Sequence, residues 1–204
     1  MKDKMLVCLD WDGTLVDSFG RISSAVQCAA DSVGLKSRSI DQIQRLIGWS
    51  HEQIWSTLYP EEQHNSKLAE RFWMEFSVHY NVKKSELFPS TRLALQRMSQ
   101  FAHLVIVTNK PRVFLDQELS DFRVEDYFSA SYSSSEYANK PDPEMINQAM
   151  SDYGSEYVCM IGDAPADKMA AHNASVPFYK IEYNAMKTDT NIVTIFDSIL
   201  ELVS

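Results

Sequence analysis

Three short apolar runs constrain this chain more than any other feature, because each stops abruptly at polar residues. Met5-Leu-Val-Cys-Leu9 is followed by Asp10, the run 104–107 by Thr108 and Asn109, and the run 157–161 by Gly162 and Asp163. Continuous apolar runs of this length suit strands buried on both faces of a parallel sheet. Helical patterns fall between and after them, over 90–100, Arg112–Phe122, Glu144–Tyr153 and 166–173, with one further strand pattern over 177–181 and a last helix over Asn191–Val203. Strands alternating with helices mean βαβ units. The expected fold class is therefore α/β, a Rossmann-like parallel sheet flanked by helices. Ligands bind such sheets beyond the carboxyl ends of the strands, where the polar residues fall.

The stretch 16–83 breaks the alternation with four helical patterns in succession and no convincing strand. It reads as an inserted α-helical domain, leaving 1–15 and 84–204 as the core. Phe19, Ile22, Val26, Ala29 and Val33 follow helical spacing, and Gly34 suits the left-handed residue that closes such a helix. Ser39 with Gln42, and Ser50 with Gln53, match the capping box on either side of Gly48-Trp49. Leu68, Phe72, Phe76 and Tyr80 form an apolar stripe, read as packing within the insert.

A chain of 204 residues, 45% of them apolar, can fill such a core. The net charge of −9, with acidic and basic residues mixed and no basic run, argues against a nucleic-acid partner. The run Met5–Leu9 is too short for a secretory or membrane segment, so a cytoplasmic protein without a membrane partner is expected. Cys8, Cys28 and Cys159 are read as free thiols on apolar patterns.

The chemistry gathers at Asp10-Trp11-Asp12-Gly13-Thr14. Residues two apart on an extended chain point the same way, so both carboxylates can face one pocket while Trp11 turns to the other side. Their mutual repulsion favours a divalent cation between them. Gly13 permits a tight turn and close backbone approach. An EF-hand loop fits worse, lacking the later acidic positions. Thr108-Asn109 could simply end a strand, Lys140 enter a turn, and Asp163 or Asp167 favour a helix N-terminus. Four such coincidences at four sheet ends in one order are not expected by chance.

The segment Asp10-Trp-Asp-Gly-Thr-Leu-Val-Asp-Ser18 resembles the first motif of the haloacid dehalogenase-like hydrolases, in the branch that contains phosphoglycolate phosphatases and β-phosphoglucomutases. Thr108 resembles the hydroxyl of the second motif, Lys140 in Lys140-Pro-Asp-Pro143 the third-motif lysine, and Gly162-Asp163 with Asp167 the acidic fourth motif. The resemblance implies a small helical cap and a magnesium-dependent phosphatase acting on a small phosphorylated metabolite, as monomer or homodimer. It further implies that one oxygen of Asp10, the backbone carbonyl of Asp12 and the Asp163 side chain hold Mg2+. Asp10 would become an aspartyl phosphate, Asp12 would act as general acid and base, and Lys140 would offset charge. Thr108, Asn109 and adjacent amides would hold phosphate, and Asp167 would orient Lys140 or a metal-bound water. Gly48, Trp49 and Ser50 stand where such caps touch substrate, beside His51, and Thr108-Asn109-Lys110-Pro111 resembles the corresponding stretch of phosphoglycolate phosphatases. Ala174-Ser175 departs from the family's common Ala-Gly step, which affects a turn.

A dehalogenase would use a similar nucleophile but has no leaving oxygen to protonate, and Asp12 argues against it. A phosphomutase would share every core motif and differ in its cap. A receiver-like phospho-acceptor module clusters similar residues on a parallel sheet, without a helical insert after the first acidic strand.

Overall fold

The computed structural model describes residues 4–182 and 191–203; positions 1–3, 183–190 and 204 of the expected core segments lie outside the described residues. Five strands form one parallel sheet in the order β5-β4-β1-β6-β7. These are β1 (Met5–Leu9), β4 (Ala102–Thr108), β5 (Ala130–Ser133), β6 (Val158–Gly162) and β7 (Phe178–Lys180). The chain builds outward from β1 to β4 and β5, then returns to place β6 and β7 on the other side. That reversal sets a crevice at the carboxyl ends of β1 and β6.

Side chains of β1 alternate between two cores. Met5, Val7 and Leu9 join a cluster with α5 (Thr91–Met98), Leu115 of α6 (Arg112–Phe122) and the last helix, α9 (Asn191–Val203). Leu6 and Cys8 join the opposite cluster with α7 (Glu144–Tyr153) and α8 (Pro165–Asn173). Burying each such aliphatic side chain is worth about 1.5–3 kcal/mol, so both faces of β1 hold it in register. The three cysteines are free, with Cys8 and Cys159 buried on opposite faces of the sheet.

Between β1 and β4 lie the four expected helices: α1 (Phe19–Val33), α2 (Ile40–Gln44), α3 (His51–Leu58) and α4 (Ser66–Tyr80). Gly34 ends α1 with φ 79°, and both capping boxes form: Ser39 and Gln42 at α2, Ser50 and Gln53 at α3. Phe72, Phe76 and Tyr80 meet Val26 and Ala29 of α1 in a third apolar cluster, to which α6 contributes Phe114. Two features differ from the sequence reading. A ribbon pairs β2 (Val16–Asp17) antiparallel with β3 (Glu86–Leu87) at the two ends of this helical segment, and β5 is an additional strand. Ser175 adopts φ 58° where glycine would be unstrained, so the departure at 174–175 does fall in a turn.

Candidate active site at the carboxyl ends of the strands

The sheet delivers its polar residues to one place. Asp10 directly follows β1, Thr108 ends β4, Asp163 follows β6, and Asp167 lies in the first turn of α8. Lys140, fully buried, reaches in from the loop before α7. Its ammonium donates to Asp10 Oδ1 (2.6 Å), Asp167 Oδ1 (2.6 Å) and the Val107 carbonyl (2.8 Å), which uses all three N–H bonds. Asp167 Oδ2 accepts the Ala164 N–H at 2.9 Å, and Asp163 Oδ1 accepts from the Thr14 hydroxyl at 3.0 Å. Two glycines make room. Gly13 sits at φ 85°, and a Cβ there would lie 2.5 Å from Asp163 Oδ2. A Cβ on Gly162 would collide with the Asp167 carboxylate.

Asp10, Asp163 and Asp167 can each offer an oxygen within 4.8 Å of the others. One lysine faces these three carboxylates. Burial, followed by the Asp167 carboxylate, pushes Asp10 up to about 6 against the pull of Lys140. Burial and the Asp10 and Asp167 charges raise Asp163 well above the ordinary carboxylate range. Burial alone would lower Lys140, but Asp10 and Asp167 hold it above the usual lysine value. Asp10 Oδ2 is buried without a hydrogen-bond partner. An oxygen-only donor set with excess negative charge and one unsatisfied carboxylate oxygen fits a hard divalent cation such as Mg2+.

Asp12 goes elsewhere. The Asp10 and Asp12 side chains, two residues apart, pair with different lysines, Asp10 with Lys140 and Asp12 with Lys110. Lys110 Nζ donates to both oxygens of Asp12, at 2.8 and 3.0 Å, and to the Tyr80 hydroxyl at 2.6 Å. Tyr80 in turn donates to Glu118 Oε1 at 2.7 Å, and Trp11 Nε1 donates to Glu118 Oε2 at 2.7 Å. Arg21 pairs with the same Glu118 at 2.5 Å. Burial pushes Asp12 up, with Lys110 opposing it. Burial would also raise Glu118, but Lys110 and its hydrogen-bond donors hold it below the usual range. Lys110, Glu118, Arg21 and the Tyr80 hydroxyl form a buried network that no local spacing announced. Trp11 does turn away from the pocket, into the core.

The remaining expected residues divide by what their polar atoms do. The Thr108 hydroxyl accepts the Lys110 N–H at 3.1 Å and lines a chamber beside Asp12. Both N–H bonds of the Asn109 amide are used, Nδ2 donating to the carbonyls of Gly48 (2.9 Å) and Lys140 (3.0 Å), and Oδ1 accepts the Lys140 N–H (2.7 Å). It ties the 48–49 loop to the sheet. Gly48, at φ 94°, lets that loop approach Ala164, where a Cβ would come within 2.7 Å. Gly48 and Trp49 line the chamber, whereas the Ser50 hydroxyl accepts the Gln53 N–H that caps α3 and Ser50 lines a neighbouring groove.

Comparison with known proteins agrees with this geometry. The chain is 29% identical over 195 residues to a phosphoglycolate phosphatase of Vibrio cholerae, covering 90% of this chain and 86% of that protein. It is 26% identical to the phosphoglycolate phosphatase of Photorhabdus laumondii, covering 100% and 94%. The solved structure of a haloacid dehalogenase-like family hydrolase from Streptococcus pneumoniae superposes with a TM-score of 0.80 at 20% identity, covering 98% of this chain and 100% of that one. Residues 7–181 match the family described as haloacid dehalogenase-like hydrolase, and the chain belongs to that family.

Proposed function

We propose that this hydrolase is a magnesium-dependent phosphatase that splits a small phosphate monoester through a phosphorylated Asp10. One observation carries the reading: Lys140 holds Asp10 Oδ1 while the buried Oδ2 has no hydrogen-bond partner, in a cluster where Asp10 and Asp163 each offer an oxygen within 4.8 Å of the other. Asp10, Asp163 and the backbone carbonyl of Asp12 are the proposed holders of Mg2+. When bound, the ion offsets the negative charge that makes a phosphate ester resist an anionic nucleophile.

The chain's own groups account for the rest. An Asp10 oxygen bonds to phosphorus as the bond from phosphorus to the ester oxygen breaks, and the departing oxygen takes a proton from Asp12. Burial already raises Asp12, and the negative charge of an arriving phosphate raises it further, favouring the protonated form. Water then attacks phosphorus, gives its proton to the Asp12 carboxylate and frees Asp10 and inorganic phosphate. Lys140 orients Asp10, Asp167 orients Lys140, and Thr108 with adjacent backbone amides receives phosphate oxygens. The helical segment, proposed as a cap over 16–83, closes the site from water.

Asp10→Asn is close to isosteric and should lower turnover of p-nitrophenyl phosphate by more than about 10³-fold with the fold intact. Excess chelator should abolish parent turnover, and Mg2+ should restore it. Asn-variant activity within tenfold of the parent, or full turnover in chelator, would sink the proposal.

A further inference from the structure

A chamber lined by side chains of the sheet ends and the helical segment adjoins Asp12. Asp12 and Thr108 form its sheet-side end. Under the phosphatase reading, Asp12 protonates the ester oxygen, so whatever that oxygen carries extends into this chamber. Its far walls are apolar: Ile22 from α1, Ile54 from α3, Trp73 and Phe76 from α4, and Phe114 from α6.

Charge is scarce on those walls. Among the described residues that line it, only Asp12 and Lys110 are ordinarily ionised at neutral pH. The Lys110 ammonium is already divided among Asp12, the Tyr80 hydroxyl and Glu118, the last at 3.1 Å. His51 supplies no cation. Its ring stacks on Trp73, with centroids 3.8 Å apart and planes within 6°, and burial pulls it down to about 4. Arg21, in the same network, is matched to Glu118. A carboxylate entering here would lose its hydration without gaining a free cation, a cost that buried charges recover only through close pairing. An apolar group gains by leaving water, and an aromatic ring gains further against Trp73 or Phe76.

Resting on the phosphatase reading, we propose that the leaving group of the substrate is an uncharged, largely apolar alcohol of the arylalkyl or alkyl class, rather than the carboxylate-bearing glycolate named for the relatives above. Phe114 and Trp73 define this preference from opposite elements, and the mouth at Asp12 and Thr108 remains common to any phosphate ester.

The experiment compares benzyl phosphate with phosphoglycolate, because neither has an activated leaving group. In the presence of Mg2+, the parent should show a kcat/KM for benzyl phosphate about 100-fold above that for phosphoglycolate, the scale on which a pocket discriminates by polarity. Calorimetric titration of the Asp10→Asn protein should rank the two ligands the same way without turnover. Trp73 is partly exposed, so Trp73→Ala should stay folded; it should lose about tenfold in kcat/KM for benzyl phosphate and less than twofold for phosphoglycolate. Equal or better use of phosphoglycolate, with turnover still dependent on Asp10, overturns the inference and leaves the phosphatase reading standing. Absence of Asp10-dependent turnover with benzyl phosphate, phosphoglycolate and p-nitrophenyl phosphate alike overturns both. Trp73→Ala losing equally on the two substrates also overturns the inference.

Discussion

At the scale of single residues, His51 carries a consequence for pH that its sequence position conceals. It opens α3 and lies flat on Trp73, with Phe76 edge-on at 5.9 Å. Burial lowers its folded pKa from 6.5 to about 4. Between those values the unfolded chain binds a proton that the folded chain refuses, so stability is full above pH 6.5 and is lost as pH falls toward 4. Going from pH 7.5 to 5, the loss from this group should be about 2 kcal/mol, or roughly 4–8 °C in melting temperature for a chain of this size. His51→Phe keeps a ring against Trp73 and removes the titration. Buried carboxylates such as Asp10 act in the opposite sense, so the quantity to measure is the difference between parent and variant melting curves across that range. A difference that stays constant from pH 7.5 to 5 would show that His51 is not held neutral.

At the scale of elements, α6 is shared between two interiors. Leu115 packs into the sheet's core, Phe114 into the helical segment's cluster, and Glu118 sits between them accepting from Arg21, Tyr80 and Trp11. Removing one partner from a buried ion pair typically costs about 3–5 kcal/mol, because the other charge is left uncompensated. Glu118→Leu and Arg21→Leu should each destabilise on that scale in denaturant titrations, and the double variant should cost clearly less than their sum. Strict additivity would mean that the pair contributes nothing as a pair. This network also marks where the sequence stops being readable. Strands β1, β4 and β6 were legible because strands buried on both faces are written as unbroken apolar runs, and both capping boxes were legible because their partners lie three residues apart. Glu118 meets Arg21 across 97 residues and Lys110 meets Asp12 across 98, distances over which no spacing rule operates. Edge strand β5 (Ala-Ser-Tyr-Ser) pairs with β4 alone among the described strands and buries only Tyr132 and Ser133, so it lacks the apolar run that identified its neighbours. Ser50 is legible as a cap because its oxygen accepts the Gln53 N–H only three residues on.

At the scale of the whole molecule, the fold collects charges that the unfolded chain keeps apart. Asp10, Lys140 and the Asp163–Asp167 pair come from three separate segments, and folding packs three carboxylates around one ammonium at the crevice between β1 and β6. Lys140 satisfies one oxygen of Asp10 and one of Asp167, while its weaker pull on Asp163 leaves that carboxyl well above the ordinary range. A divalent cation should therefore bind the folded chain far better than the unfolded one, and such binding stabilises by mass action. At a concentration one hundred times its dissociation constant the gain is about 2.7 kcal/mol, which for a domain of this size raises the melting temperature by roughly 5–10 °C. Thermal melts with and without Mg2+ test this with no substrate present. Asp163→Asn should raise the metal-free melting temperature, because it removes a half-buried negative charge next to two others, and should at the same time abolish most of the Mg2+-dependent rise. Lys140→Met should do the reverse: the metal-free protein should lose about 3–5 kcal/mol with its carboxylates unopposed, and added Mg2+ should recover more for this variant than for the parent. These opposite signs separate electrostatic occupation of the crevice from a general salt effect, which would move all three proteins together. If Mg2+ left the parent's melting temperature unchanged at millimolar concentration, or shifted Asp163→Asn as much as the parent, the crevice would not be a cation site.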